Sequence, residues 1–595
     1  MVRSAWVIIV AGATAAAWVP APRRTSIVRT AARVEVHRAV RQDVSPPLVR
    51  VGAYAPPTGA MHPTIESPVV AGAQRSGPGT GLGTAPPAPR RRFPRHGARR
   101  TQPRPLPTEA TPPPPPPPLP PPFPAIGAAG RAVEQTAMGT RPAARLIASF
   151  DGLGWGFRGP HPAPPIPARY RRYGGALDLS LAVGPTQVME IINSRLAVFS
   201  KTDKLLYGAV PTNTVFAGFG GRCASTNSGD AVVRYDQLAH RWLIVMPIFS
   251  RPPGQPDGPF GMCYAVSTSS NALGTYYRYE FVRKRFPDYP RPAVWPDGYY
   301  VPTSSGDGVI QKKDCIADRT RMLRGEPATE QCVVIDGVSF LNNADVDGPH
   351  PPPQGAPNIM MAAGGTQLKG IDSSNVIYWF KVHVDWQDYH NTYVTPGTAI
   401  RVAPYHFLCN GQLSNCVPQE NSKSYLDSQG DKLMQRLVYR RWHGHQSILA
   451  EHSIDTAAHA GGVRWYEFRL NRKGDPVLYQ QGTYAPDGHY RWMASMDMDK
   501  FGDIAIGYSY GGADAYPGQR FAARMAGDPR GKLTLREAVL AAGQGSQDWN
   551  RWEDFTTMAM DPSDDCTFWY VGDYLKTGAP ASTTRIGAFR LPNCR

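Results

Sequence analysis

From about residue 145 onward, apolar and polar positions alternate in short runs such as "QVMEIINSRLAVFSK", "DAVVRYDQLAHRWLIVMPIF", "AVWPDGYYVPTS", "DKLMQRLVYRRW" and "RWYEFRL". A period of two, broken by Gly, Pro and Asp, predicts strands and turns. Only "DRTRMLRG" and "LREAVLAA" read as helices. One hairpin recurs: a strand, an Asp-led turn, then an aromatic strand. It stands in "VVRYDQLAHRWLIVM" (turn at Asp236), "MDMDKFGDIAIGYS" (Asp499) and "MAMDPSDDCTFWYV" (Asp561). Looser copies surround "AVGPTQVMEII", "AVWPDGYYV" and "RLVYRRWHGHQSILA", and "NIMMAAGGTQ" before "VIYWFKVHVDW" supplies a seventh. A lone hairpin buries too little apolar surface, whereas four-stranded sheets packed radially bury both faces. Repeats of roughly 45–60 residues therefore predict an all-β fold, a seven-bladed β-propeller, with six blades as the alternative and a pair of two-sheet sandwiches as the runner-up.

Propellers close by completing one blade with strands from both chain ends. The segment "ARLIASFDG" is the first apolar run of the folded part, and the Pro-rich "GWGFRGPHPAPPIP" after it is unsuited to continuing a sheet. The last strand, "RIGAFRL", needs a partner for its edge. Leu146 to Phe150 is thus expected to add to the C-terminal blade, that of Trp552 and Trp569.

Composition divides the chain at the same place. Through residue 145 there are 19 Arg, no Lys and 5 acidic residues, a balance of +14; the remainder has 45 basic and 42 acidic residues, +3. The basic character belongs to the tail, which argues against nucleic acid as the partner of the folded part. Residues 1–19 read as a signal peptide, with an apolar run short of the roughly 20 residues a membrane span needs. No stable span is expected after its removal. Residues 20–145, with "RRRFPRHGARR" and "PPPPPPPLPPPFP", read as a disordered Pro/Arg-rich linker. "AAAWVPAP" also fits the boundary of a bipartite presequence for a secondary plastid, the alternative to secretion.

The eight cysteines all follow residue 220 and form no CxxC pair. Beside a signal peptide they point to disulfides in an oxidising compartment. Local pairing is expected: Cys223 with Cys263, Cys315 with Cys332, Cys409 with Cys416, Cys566 with Cys594.

Aligning the repeats on their turns places a polar residue some six to ten positions earlier, at Asp178, Asp230, Asp288, Asp431, Arg491 and Asp554. Inner strands of a propeller start at one face of the channel, where these side chains would converge. The set would suit sugar hydroxyls or a cation such as Ca²⁺; the competing reading is that each Asp caps its own strand entry. Glu553, Asp554 and Asp431 are the carboxylates from which a glycosidase pair would be drawn. Arg436, Arg491 and Arg551 could gather around a carboxylate, and Trp552 could stack on a sugar, although the Trp residues are expected mostly to pack between blades. No Ser-x-Asp-x-Gly-x-Thr-Trp box supports sialidase chemistry. "GYSYG" lacks the strand–turn–helix context of a nucleophile elbow, and His443, His445, His452 and His459 lack the usual ligand spacing of a metal site.

"GDAVVRYDQLAHRWLIVMPIF", "FPDYPRPAVWPDGYYVPTSSGD", "GGVRWYEFRL", "LYQQGTYAPD", "YRWMASMDMD" and "DPSDDCTFWYVGDYL" resemble a family of secreted, largely uncharacterised bacterial proteins. The resemblance covers about residues 146–595 and implies a sialidase-like β-propeller; it supplies no activity to carry over. The expected function is binding of an extracellular ligand, a glycan or other polymer, on the channel face by a monomer. The alternative is a glycoside hydrolase using carboxylates of that face.

Overall fold

The computed structural model describes residues 34–50, 127–157, 177–249, 258–305, 311–338, 340–365, 374–412, 415–548 and 550–594. The signal-peptide segment lies outside them. Among the described residues no helix is long and apolar enough to cross a membrane.

The chain is nearly all β, in six hydrogen-bonded sheets. One sheet of ten strands joins two antiparallel meanders through a single parallel pairing, Asn342–Val346 beside Leu437–Trp442. The described chain therefore makes seven meander units. Their innermost strands are Ser180–Val183, Val232–Asp236, Ala293–Trp295, Asn342–Val346, Leu437–Trp442, Tyr490–Met498 and Thr557–Met560. Each of these touches the next, and the last touches the first, so the contacts run in a closed, propeller-like ring.

Every boundary between neighbouring units is filled with apolar side chains. Met189 and Val198 of the first unit meet Val233 and Ile244 of the second. Trp295 and Ile316 of the third meet Met360 of the fourth, which meets Tyr439 of the fifth. Phe150, Trp569 and Ile586 of the seventh return to Leu181 and Val188 of the first. Each such side chain, fully buried, stabilises the ring by on the order of 1.5–3 kcal/mol before ordering costs. Gly184 marks how close the units come: a Cβ there would lie 2.6 Å from the Trp242 ring.

Several expectations hold. The strand Arg145–Gly154 pairs antiparallel with Thr583–Arg590, with Phe150 opposite Ile586 and Leu146 opposite Phe589. All four expected disulfides are present, with Cα–Cα distances of 5.9, 4.0, 5.9 and 5.7 Å in chain order. Trp295, Trp465, Trp492 and Trp552 are all buried. Ser509 sits inside the strand Ile504–Gly512.

Others need correction. "LREAVLAA" carries the strand Ala538–Ala541, paired to Ala515–Arg524, because tertiary pairing outweighs weak helix propensity. In the fourth unit "NIMMAA" forms the second strand; the innermost is Asn342–Val346, whose polar "NNADV" hid it. Most consequentially, the stretch 20–145 is not wholly a linker. Glu35–Arg38 pairs with Thr329–Ile335 of the third unit and Arg41–Val44 with Tyr276–Arg283 of the second. Asp43 holds buried Arg278 at 2.7 and 2.6 Å, Lys313 reaches Glu35 at 2.6 Å, and Leu48 is buried. Glu134 and Gln135 pair with the edge of the fifth unit. This strap covers two sheet edges that would otherwise be open.

Candidate functional site

The entrances to the innermost strands meet at one mouth of the ring. Asp178 and Asp230 each stand two residues before an inner strand, with φ of 46° and 51°. Asp tolerates this left-handed conformation better than most residues because its short side chain can bond locally. Asn193 ties the two together: its amide nitrogen donates to Asp178 Oδ2, and its Oδ1 accepts the Asp230 backbone N–H at 2.9 Å. Asp178 Oδ1 in turn accepts the backbone N–H of Asp554 at 3.1 Å. The Asp178 carboxylate thus does bond backbone, as the capping alternative required, but the bond crosses from the first unit to the seventh.

Asp554 is the hub. Its Oδ1 accepts Gln429 Nε2 at 2.5 Å and Arg551 Nη2 at 2.9 Å, while its carbonyl accepts the Tyr289 hydroxyl at 2.6 Å. Arg551 also holds Asp427 at 3.0 Å. Asp427, Gln429, Asp431 and Lys432 come from the long connection between the fourth and fifth units, pinned by the Cys409–Cys416 disulfide and by Gln419, whose amide donates to the Gln547 carbonyl at 3.1 Å. Lys432 pairs with Asp431 at 2.7 Å.

Burial and like charge act together here. Burial, then Asp554 and Asp230, raise the Asp178 carboxyl well above its ordinary range. Asp288 is pushed up to about 7 by burial and by Asp554. Burial, then Asp554 and Asp431, raise Tyr289. Asp178, Asp230, Asp288, Asp431 and Asp554 therefore share one neighbourhood with Arg551. Asp178 and Asp431 are 2% exposed and Asp230 5%, so Asp288, Asp554 and Arg551 form the open side.

The remaining candidates lie elsewhere. Glu553 is fully buried: Ser509 donates to it at 2.7 Å, Gln519 at 3.0 Å, and the Asp573 backbone N–H also reaches it. Glu553 thus points into the sheet packing while its neighbour Asp554 points to the mouth. Trp552 is buried against Trp492 and donates its indole N–H to Ser509 at 2.9 Å. Arg491 is held by Asp487 at 2.8 Å and Glu537 at 2.7 Å within the sixth unit.

Arg436 lies deeper, in a plug across the channel. It pairs with Asp345 at 2.7 Å, Asp347 at 2.7 Å and Asp497 at 3.0 Å, and donates to the Met558 carbonyl at 3.0 Å. Arg234 joins Asp345 at 3.3 Å and the Gln435 side chain at 3.1 Å. The cavity beside this plug, lined by Arg234, Gln237, Asp345, Asp347 and Arg436, measures about 20 Å³. That is room for about one water molecule.

Sequence reasoning missed Asn193, Gln429, Tyr289, Arg291 and Lys432 at the mouth and Arg234, Asp345, Asp347 and Asp497 in the plug. The acids did leave a signal: in "DVD" Asp345 and Asp347 are spaced by two at the end of an inner strand, the spacing that turns both side chains the same way. As to Ca²⁺, among the described residues the only trio of His, Cys, Asp or Glu with ligand atoms within 4.8 Å of one another is His37, Glu330 and Cys332. The Cys332 sulfur is already committed to its disulfide.

No protein-family model matches the chain, and no curated protein does. Among solved structures it is similar to a PL25 ulvan lyase (11% identity, 70% of this chain and 94% of that one, TM-score 0.35). It is also similar to an endo-1,5-α-L-arabinanase from Thermotoga petrophila (12%, 71% and 99%, TM-score 0.26). A third is a subtype N11 neuraminidase-like protein of A/flat-faced bat/Peru (8%, 70% and 100%, TM-score 0.23). Likeness at this level carries no inference about chemistry.

Proposed function

We propose that the protein is a secreted, seven-bladed β-propeller that binds an extracellular glycan, or another hydroxyl-rich polymer, across the mouth formed by Asp178, Asp230, Asp288, Asp431, Asp554 and Arg551. The observation that carries this is the crossing of units. Carboxylates from distant parts of the chain are brought to one mouth, while the plug below needs none of them. Oriented carboxylates and an arginine are the acceptors and donors that sugar hydroxyls require, and a closed channel favours a ligand lying across the face. Four disulfides support an oxidising, extracellular setting. A glycan array on the mature chain tests the reading. A hit whose binding survives Asp554→Asn and Arg551→Gln in folded protein would sink it.

Hydrolysis is the second reading, favoured by one observation. Asp288, at about 7, retains its proton near neutrality beside Asp554, which accepts hydrogen bonds from Arg551 and Gln429. A neutral acid next to a carboxylate is the pair glycoside cleavage needs. In this reading the pair is Asp288 with Asp554, in place of one drawn from Glu553, Asp554 and Asp431. Product release from an array hit, abolished by Asp288→Asn with binding retained, separates enzyme from binding module.

A further inference from the structure

Arg291 lies just below the mouth, between Asp288 and the start of the fourth unit, and is 2% exposed. Its Nε donates to the Leu341 carbonyl at 2.7 Å, yet among the described residues neither Nη1 nor Nη2 has a hydrogen-bond partner. A buried donor left unmet costs about 1–3 kcal/mol, and more on a charged group, so native proteins keep few. The guanidinium sits 4.9 Å from the Tyr289 ring centroid and 5.2 Å from that of Phe340. Ring faces attract a cation but accept no conventional hydrogen bond.

Two more buried cations approach the same aromatic pair. Lys432 Nζ lies 4.3 Å and Lys312 Nζ 5.7 Å from the Phe340 centroid. Burial lowers Arg291 only to about 10, so it stays cationic at neutral pH. Of the acids around it, Asp431 is ion-paired to Lys432. Asp288 and Asp314, each pushed up to about 7 by burial, are partly neutral at that pH. Arg291 is thus a buried cation with two amino groups still to donate among the described residues, beside Lys432 and beside Lys312, which burial lowers to about 8. A water molecule would meet the donors but leave the charge.

We propose that Arg291 anchors an oxyanion site in which Nη1 and Nη2 donate to two oxygens of a carboxylate or sulfate carried by the ligand, with Lys312 and Lys432 supplying the surrounding positive field. This rests on reading the mouth as a glycan site and deepens it: the glycan is acidic, a uronate or a sulfate ester. Arg291 is 2% exposed, so a group that meets its Nη atoms must be small and point inward, with the sugar ring left at the level of Asp288 and Asp554.

The test uses the mature chain, Arg291→Gln, and Arg291→Lys as a variant that keeps the charge without the fork. Equilibrium dialysis against radiolabelled inorganic sulfate is run at fixed ionic strength, because screening alone alters such binding. Wild type is expected to hold one sulfate per chain, displaceable by acetate, and both variants to weaken it at least tenfold. Polygalacturonate is then compared with its methyl ester, and dextran sulfate with dextran. The acidic member of at least one pair is expected to bind at least tenfold tighter to wild type but not to Arg291→Gln, and the pair that does so tells carboxylate from sulfate. Sulfate binding unchanged in the variants overturns the site. If neutral glycans bind, acidic ones gain nothing and sulfate is not held, the oxyanion site falls and the glycan reading stands. If no glycan binds but sulfate is held through Arg291, the glycan reading falls and the oxyanion site stands. Should Arg291→Gln fail to fold, an unchanged sulfate affinity in Arg291→Lys overturns the proposal by itself.

Discussion

The mouth and the plug are built from the same part of the repeat, yet they use charge in opposite ways. In the plug, Arg436 faces three carboxylates and a carbonyl, and its planar fork fits them. At the mouth, Asp178 and Asp288 hold raised pKa values, Asp178 and Asp230 sit in left-handed backbone, and Arg291 keeps two unpaired amino groups. Arg436 is matched in the plug, where burial and Asp347 still raise Asp497, whereas Arg291 at the mouth keeps two amino groups unmet among the described residues. Charge that is matched closes a channel; charge left unmatched at an entrance is capacity for a ligand.

The largest expected effect comes from breaking the plug. Arg436→Ala leaves Asp345, Asp347 and Asp497 buried without their cation, and a loss of about 3–5 kcal/mol is expected from removing one partner of a buried network. Urea unfolding measures it; a change under about 1 kcal/mol would mean that the plug is not what holds the channel shut. Arg436→Lys sharpens the point. A lysine keeps the charge but lacks the fork, so an intermediate loss of roughly 1–3 kcal/mol should remain in the same unfolding curves.

At the mouth the balance should invert. Asp554→Asn, partly exposed and isosteric, is expected to shift stability by less than about 1 kcal/mol while weakening an array-identified glycan at least tenfold, roughly 1.4 kcal/mol. Titration calorimetry beside thermal melting checks both halves, and a large melting shift with unchanged affinity would make the mouth merely structural.

The smallest effect is one of pH. The Asp288 carboxyl is raised from 3.8 unfolded to about 7 folded, so the folded state binds its proton more tightly. Its contribution is fully present below about pH 4 and lost as pH rises through 7. Asp288→Asn stays neutral throughout, so its melting temperature relative to wild type should climb by about 1–2 °C between pH 5 and pH 8, a modest shift because Asp288 is partly open to water. A flat difference would show that Asp288 is already ionised at pH 5.

Much of this protein was written locally. The Asp-led hairpins at Asp236, Asp499 and Asp561, the four sequential disulfides and the closing strand at Leu146 to Phe150 were all legible, because alternation, turn chemistry and short cysteine spacing act between near neighbours or at an obvious free edge. The convergence of Asp178, Asp230, Asp288, Asp431 and Asp554 followed from the same regularity, since aligned repeats put equivalent residues at one end of a ring. Tertiary structure decided the rest. Only packing shows that Arg436 turns to Asp345, Asp347 and Asp497 while Arg551 reaches Asp554, because an arginine's partner is set by distance in space. Glu553 and Asp554, adjacent and both acidic, were separated by which of the two side chains met the sheet packing. The strap of residues 34–50 sat in Arg-rich sequence, and its strands "EVHR" and "RQDV" carry one apolar residue each. Its order comes from partners more than two hundred residues away, Arg278 for Asp43 and Lys313 for Glu35, waiting on open sheet edges.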